Sequence, residues 1–264
     1  ELIRLGEPSA PPSPMLNIYD ANNYLRLLLE RDITGLTPRT ILNMVNDSND
    51  PAVFVWDGPG GLRRRREIYD GYKRNRPPLK SDITTSFQTI EEVLKHTKAI
   101  QVRVPGYEAD DVIAALAREY AENGEQVAIY SNDQDFGQLV GEYPTRIFAG
   151  YKPKEDVPAH LTRYYKLTVG DPSDNIPGIK GFGKKTWAET NKAALTEWID
   201  DIIERGEIRD IGLPPRIKVD PDQLRLFSQI IAFLPISLDE ISKHMTVGTP
   251  DYAAADEYLK RFFQ

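Results

Sequence analysis

Nine carboxylates are the residues of this 264-residue chain best placed to do chemistry together. Asp20 and Asp57 each close a short apolar run, in IYD and VWDG. Glu108, Asp110 and Asp111 open a helical pattern in GYEADDVIAALA; Asp133 and Asp135 follow QVAIYS in SNDQDF; Asp171 and Asp174 lie in VGDPSDN. Taken singly, each acid has an ordinary explanation as a helix N-cap, a partner of the helix dipole or a turn residue. Taken together, separate elements delivering acids to the carboxyl edge of one parallel sheet predict a shared crevice. Bare anions that close repel one another or take up protons, so such a cluster requires cations. The chain has no cysteine and three scattered histidines, His96, His160 and His244. Oxygen ligands of this kind favour magnesium or manganese over zinc. Two such ions about 3.5–4 Å apart would activate water and stabilise a leaving oxygen, which is the chemistry of phosphodiester hydrolysis.

The elements that must carry these acids are legible as patterns. MLNIYD, AVFVWDG, AIQVRV and QVAIYS read as buried-type strands, with TRIFAG (145–150) as a weaker fifth. Helical periodicity at 38–47, 85–97 and 108–122 lies between them. That alternation predicts an α/β fold, a mostly parallel sheet with helices on both faces, over 15–155. After about residue 155 the strands are expected to stop, leaving helices near 156–165, 184–194, 196–205, 222–233 and 252–263. Residues 1–14, rich in proline and small residues, read as a flexible tail. Starting at Glu1 without Met, the chain reads as a trimmed or partial product.

Composition narrows the class. No apolar run approaches the roughly 18–20 residues of a membrane span, and the absence of cysteine excludes disulfides and points to a reducing compartment such as the cytoplasm. The formal charge is −7, which on its face disfavours nucleic acid. Setting aside the nine clustered acids leaves 31 acids against 33 Lys and Arg, so charge neither excludes nor supports it. Two stretches need more than a loop to explain them. GPGGLRRRREIYDGYKRNRPPLKSD (58–82) is strongly basic and leaves from the end of an acid-tipped strand, and NIPGIKGFGKK (175–185) spaces three glycines ahead of two lysines. Gly178, Gly181 and Gly183 would bring backbone N–H groups close to phosphates, with the following helix N-terminus, Lys184 and Lys185 adding positive charge. A plain helix–turn–helix packing unit is the alternative.

In their order, IYDANNYL, VWDG, YKRNRPP, GYEADDVIA, SNDQDF and VGDPSDNIPGIKGFGKK resemble the 5′-nuclease (flap endonuclease and 5′–3′ exonuclease) superfamily of bacterial and bacteriophage type. The resemblance runs from about residue 15 to 200. It implies a PIN-like 5′-nuclease core with an arch or clamp region at about 60–106, and a helical DNA-binding region over 156–264 with a helix–hairpin–helix at about 171–194. All nine acids match the family's metal-site acids, implying two Mg2+ or Mn2+ ions. Lys73 and Arg76 would act on the scissile phosphate, Tyr72 would stack on a base, and Arg63 would contact DNA. The hairpin implies duplex binding and a potassium site. The implied protein is a monomeric bacterial or phage enzyme of replication or repair acting on DNA 5′ ends and flaps, with RNA–DNA hybrid and replication proteins as further partners. Two other readings stay open: a PIN-type metal-dependent ribonuclease, which has no need of the glycine hairpin, and a non-catalytic DNA-junction binder.

Overall fold

A computed structural model describes residues 15–150 and 157–262. The expected tail at 1–14 lies outside the described residues. The chain runs β1 (Leu16–Asp20), α1 (Ala21–Arg31), α2 (Thr37–Asp47), β2 (Ala52–Trp56), α3 (Arg63–Ile68), α4 (Ser81–Leu94), β3 (Ile100–Arg103), α5 (Ala109–Glu122), β4 (Val127–Tyr130), α6 (Gly137–Glu142) and β5 (Ile147–Ala149). It continues through α7 (Thr162–Val169), α8 (Lys184–Glu189), α9 (Lys192–Arg205), α10 (Pro221–Ile231), α11 (Leu238–Ser242), β6 (Met245–Val247) and α12 (Tyr252–Phe262).

The strands form one sheet in the order β5-β4-β1-β2-β3-β6, with the first five parallel. Every residue of β1 and β2 is buried, as expected of central parallel strands covered on both faces. One face packs on α5 through Val112, Ile113, Leu116 and Ala117, spaced so that one helical stripe meets Ile18, Val55 and Val102. The other face packs on α1, α2 and α4, where Leu25, Ile41, Val45, Phe87 and Ile90 surround Phe54 and Trp56. From β1 the chain fills β2 and β3 on one side, then returns to place β4 on the other. The sheet therefore has a topological switch point beside β1, where ligands of open α/β sheets bind.

Three features depart from expectation. First, strands do not stop at 155: β6 pairs antiparallel with β3 at the sheet edge, Thr246 opposite Gln101. Its three residues are exposed, so no alternation announces them. Second, the 156–264 region is not a single helical layer. Helices α7 to α10 share a core of Trp187, Leu195, Trp198, Ile202, Leu224 and Phe227. Beyond α10 the chain returns to the sheet: α11 packs on α5, and Ala255 and Leu259 of α12 pack on Leu42 and Val93. Third, the segment expected to form an arch at 60–106 includes α4, whose Ile83, Phe87, Ile90 and Leu94 belong to the sheet core. What stands clear of the core is the exposed stretch 74–82, where Pro77 and Pro78 cannot supply helix N–H donors.

A candidate metal centre at the switch point

Each acid is positioned by a local rule that also has a structural use. Asp20 ends β1 and caps α1, accepting Asn23 N–H at 3.3 Å, while its other oxygen accepts the Ser131 hydroxyl at 2.8 Å. Asp57 follows β2 and accepts the N–H of Ala109 at 2.9 Å, so it caps α5 from across the sheet. Glu108 stands at the N-cap position of α5 without making a capping bond, which leaves its carboxylate for other partners. Asp133 follows β4 and accepts Asp135 N–H at 2.9 Å. For Asp20, Asp57 and Asp133 the capping reading and the crevice reading are thus both satisfied by the same side chain. Asp20, Asp57, Glu108, Asp110, Asp133 and Asp171 line one crevice of about 1220 Å3, shared with Lys73, Arg76, Lys166, Arg63, Arg66 and Arg26. Ligand oxygens of Glu108, Asp110 and Asp111 lie within 4.8 Å of one another.

The remaining acids arrive on a loop clamped to the basic segment. Asp171 and Ile176 exchange two backbone hydrogen bonds of 2.8 Å, and Asp171 Oδ1 accepts from the Ser173 N–H and hydroxyl, closing a tight turn. Residues 69–76 dock on this turn. Tyr69 donates to Asn175 O, Asn75 to Pro172 O, Asn175 back to Gly71 O, and Arg76 to both Ser173 O and Asp174 Oδ1. Lys73 has φ +52, a left-handed conformation unusual for a residue with a side chain. That turn sends its ammonium inward to Glu108 Oε1 at 2.6 Å.

Burial and crowding set the electrostatics. Asp20 is pushed up to about 8, first by burial and then by Asp57. Burial raises Asp57 too. Glu108 is raised to about 7 by burial and by Asp110, against the pull of Lys73 and Arg65. Asp135 is raised to about 7 by burial, which outweighs Lys166. Asp171 goes the other way: burial would raise it, but Lys166 and the Ser173 bonds hold it at about 2. Lys73 and Lys166 are raised above the ordinary lysine value, because neighbouring carboxylates overcome their burial. Asp20 and Glu108, whose protons burial holds toward neutral pH, are oxygen donors short of positive charge, and hard divalent cations fit them.

Several expected site residues are placed otherwise. Asp111 does not line the crevice: it is fully buried, clamped by Arg65 at 2.6 and 2.9 Å and by Leu234 N–H at 2.7 Å. Asp135 and Asp174 are also buried and outside the lining, paired with Lys166 and Arg76 respectively. Tyr72 is not a base-stacking ring. It is 1% exposed, packs with the core of α7 to α10, and donates to Glu108 Oε2 at 3.0 Å. Arg63 lines the crevice as an exposed side chain paired with Glu67. Lys184 and Lys185 are exposed on α8, outside the crevice lining.

The hairpin glycines divide as well. Gly178 has φ +72, and a Cβ there would stand 2.6 Å from Gly170 N and Thr168 O, so its smallness serves internal packing. Gly181 likewise has φ +83 and faces Arg216 O. Gly183 has an ordinary φ of −116 and open space around it. We expect Gly178→Ala to cost more than about 2 kcal/mol of stability. Gly183→Ala should change stability by less than about 0.5 kcal/mol, and any loss of duplex binding it causes then reports on a lost phosphate contact. Denaturant unfolding beside a DNA-binding isotherm measures both.

Residues outside the expected set complete the centre. Arg65, within a run of arginines that looks solvated, is 2% exposed and bridges Glu108 and Asp111. Lys166 is 4% exposed between Asp135 and Asp171. Asn22 accepts Asp57 N–H at 2.9 Å, and Asn23 accepts Asn132 N–H at 3.1 Å, tying the ends of three strands together. Only the position of Asn22 and Asn23 directly after an acid-tipped strand signals them in the sequence.

Fold and site together define an α/β protein with an acidic crevice at its switch point and basic side chains on the rim. Residues 33–165 match the family model for the 5′-3′ exonuclease N-terminal resolvase-like domain. The chain is 38% identical over 208 residues to the 5′-3′ exonuclease of Aquifex aeolicus, covering 75% of this chain and 70% of that protein. It belongs to the 5′-3′ exonuclease family. It is also 29% identical over 221 residues to the thermostable DNA polymerase I of Thermus caldophilus, and spans about a quarter (25%) of that relative's length. Among solved structures, its fold is similar to a T5 protein co-crystallised with metal ions, at TM-score 0.58 and 18% identity, covering 93% of this chain and 98% of that one. The T5 5′-exonuclease with zinc bound is similar at TM-score 0.53 and 18% identity, covering 82% and 86%.

Proposed function

We propose that the chain is a divalent-metal-dependent 5′-nuclease that hydrolyses DNA phosphodiesters at 5′ ends and 5′ flaps. The observation that carries this reading is the convergence of six carboxylates on one crevice with Lys73 and Arg76 beside them. Asp20, Asp57, Glu108, Asp110, Asp133 and Asp171 are the residues that would hold two magnesium or manganese ions. Such ions polarise the phosphodiester and lower the pKa of an attacking water. Lys73, aimed inward by its left-handed backbone, and Arg76 stand where they can neutralise charge growing on the phosphate oxygens. Attack by water forms one P–O bond as the bond to the 3′ oxygen breaks, leaving a 5′-phosphate. Asn22, Asn23 and Arg65 hold the acid-bearing ends in place. The loop 170–183 with Gly183, Lys184 and Lys185 grips the duplex backbone without reading sequence. Potassium on this loop, a monomeric state and service in primer removal or repair belong to the same reading, supported by the family resemblance.

Magnesium-dependent cleavage of a labelled 5′-flap duplex, run beside single-stranded RNA, tests it. Flap cleavage with RNA intact is expected. RNA cleavage with the flap untouched would favour a ribonuclease, and no cleavage with retained junction binding would favour a binder. Lys184→Ala with Lys185→Ala should weaken duplex binding and flatten its log K against log salt plot by about one to two contacts' worth. An unchanged slope would remove these lysines from the grip.

A further inference from the structure

Lys166 has no task in the hydrolysis described above, yet it is buried among the carboxylates. Its Nζ lies 2.6 Å from Asp171 Oδ2 and also pairs with Asp135 Oδ1. Asp133 and Asp174 are near enough to favour its charge. Two buried lysines thus stand among these acids, and Asp174 lies in the field of both. Asp57, Glu108 and Asp110 stand with Lys73, whose ammonium meets Glu108 Oε1. Asp133, Asp135 and Asp171 stand with Lys166, which is rooted in the middle of α7.

We propose that Lys166 is a built-in competitor for the second of two divalent ions: its ammonium occupies the place between Asp135 and Asp171, so an ion enters that group by displacing it. This rests on the metal-dependent reading above. An ammonium is a compact point charge whose three donors take up carboxylate lone pairs that a cation would otherwise use. A divalent ion held beside it meets direct like-charge repulsion in a poorly solvated site. Displacement is sterically open, because the lysine stem is flexible and Lys166 already borders the crevice. The consequence is a weakened affinity: the group around Lys166 holds its ion less tightly than its carboxylates alone would. Metal availability then sets how much of the protein carries both ions.

The test is titration of the full chain with Mn2+, following free ion by electron paramagnetic resonance, in the parent, Lys166→Met and Lys166→Arg. In Lys166→Met the weaker class should tighten by about tenfold or more, with the tighter class unchanged within about twofold. Lys166→Arg, which keeps the charge, should titrate like the parent. A weaker class that is unchanged or loosened in Lys166→Met overturns the proposal, as does Lys166→Arg behaving like Lys166→Met. If the parent binds no Mn2+ at all, the metal-dependent reading itself fails. Two ions bound with no dependence on the charge at 166 sinks only the competitor role. Should Lys166→Met fail to fold without metal, the parent decides. Acylation of Lys166 by acetic anhydride, located by peptide mass mapping, should rise as the weaker class fills, and continued protection at saturating Mn2+ overturns the proposal.

Discussion

Asp20→Asn is expected to slow flap cleavage by about 10^3-fold or more while raising the melting temperature of the metal-free protein. The two effects have one cause. Asp20 is buried beside Asp57, and its pKa is raised from 3.8 to about 8. Its folded form therefore binds a proton more readily than its unfolded form, so this residue's contribution to stability is full below about pH 4. That contribution is lost as pH climbs from about 4 to 8. Asparagine keeps the shape, can accept from Asn23 N–H, and can meet the Ser131 hydroxyl, but it carries no charge to repel Asp57. The stability gain should thus be largest at pH 8 and above, and small at pH 5. The same lost charge removes a ligand from the metal group, and with it the rate. Thermal melts in EDTA from pH 5 to 9, beside single-turnover cleavage in magnesium, measure both. A melting temperature that falls at pH 8 would make Asp20 a structural residue whose loss of activity is indirect.

Arg65→Met should destabilise the protein by about 3–5 kcal/mol at pH 8, the range for stranding buried charges. Arg65 spends all its donors on buried acceptors: Glu108 Oε2 at 2.7 Å, both oxygens of Asp111, and the carbonyls of Ile230 and Ala232. Methionine fills much of the volume but leaves Asp111 without a counter-charge and Glu108 with Lys73 alone. Lysine should rescue little, since one ammonium cannot replace a planar fork spanning five acceptor atoms. The deficit should shrink toward pH 5, because Asp111 and Glu108, both raised by burial, take up protons as the pH falls. Urea unfolding of parent and variant at pH 8 and pH 5 checks the size and the trend. A deficit below about 1 kcal/mol at pH 8 would show that solvent or a neighbour reaches these acids in Arg65's place.

The amino-acid sequence by itself determined the local chemistry. Apolar runs ending in Asp20 and Asp57 had to be strands delivering acids to an edge, because a parallel sheet aligns its carboxyl ends. The helical stripe after Glu108 had to lie on that sheet, and the acids of DPSDN had to turn, because no periodic element accommodates them. What each acid would face was a different matter. Asp111 is one residue from Asp110 and chemically identical to it, yet a helix turns successive side chains about 100° apart. One therefore meets the crevice and the other meets Arg65. Tyr72 sits between exposed and basic neighbours, but the docking of residues 69–76 on 171–175 rolls its ring into the core of α7 to α10. The pairs that decide the site join residues far apart in the chain: Arg76 with Asp174, Lys166 with Asp135, Arg65 with the carbonyls near the end of α10. Such pairs exist because two packed layers bring their borders together. No local pattern encodes that approach, so only the tertiary structure decided which carboxylates stay open to a cation and which already hold one.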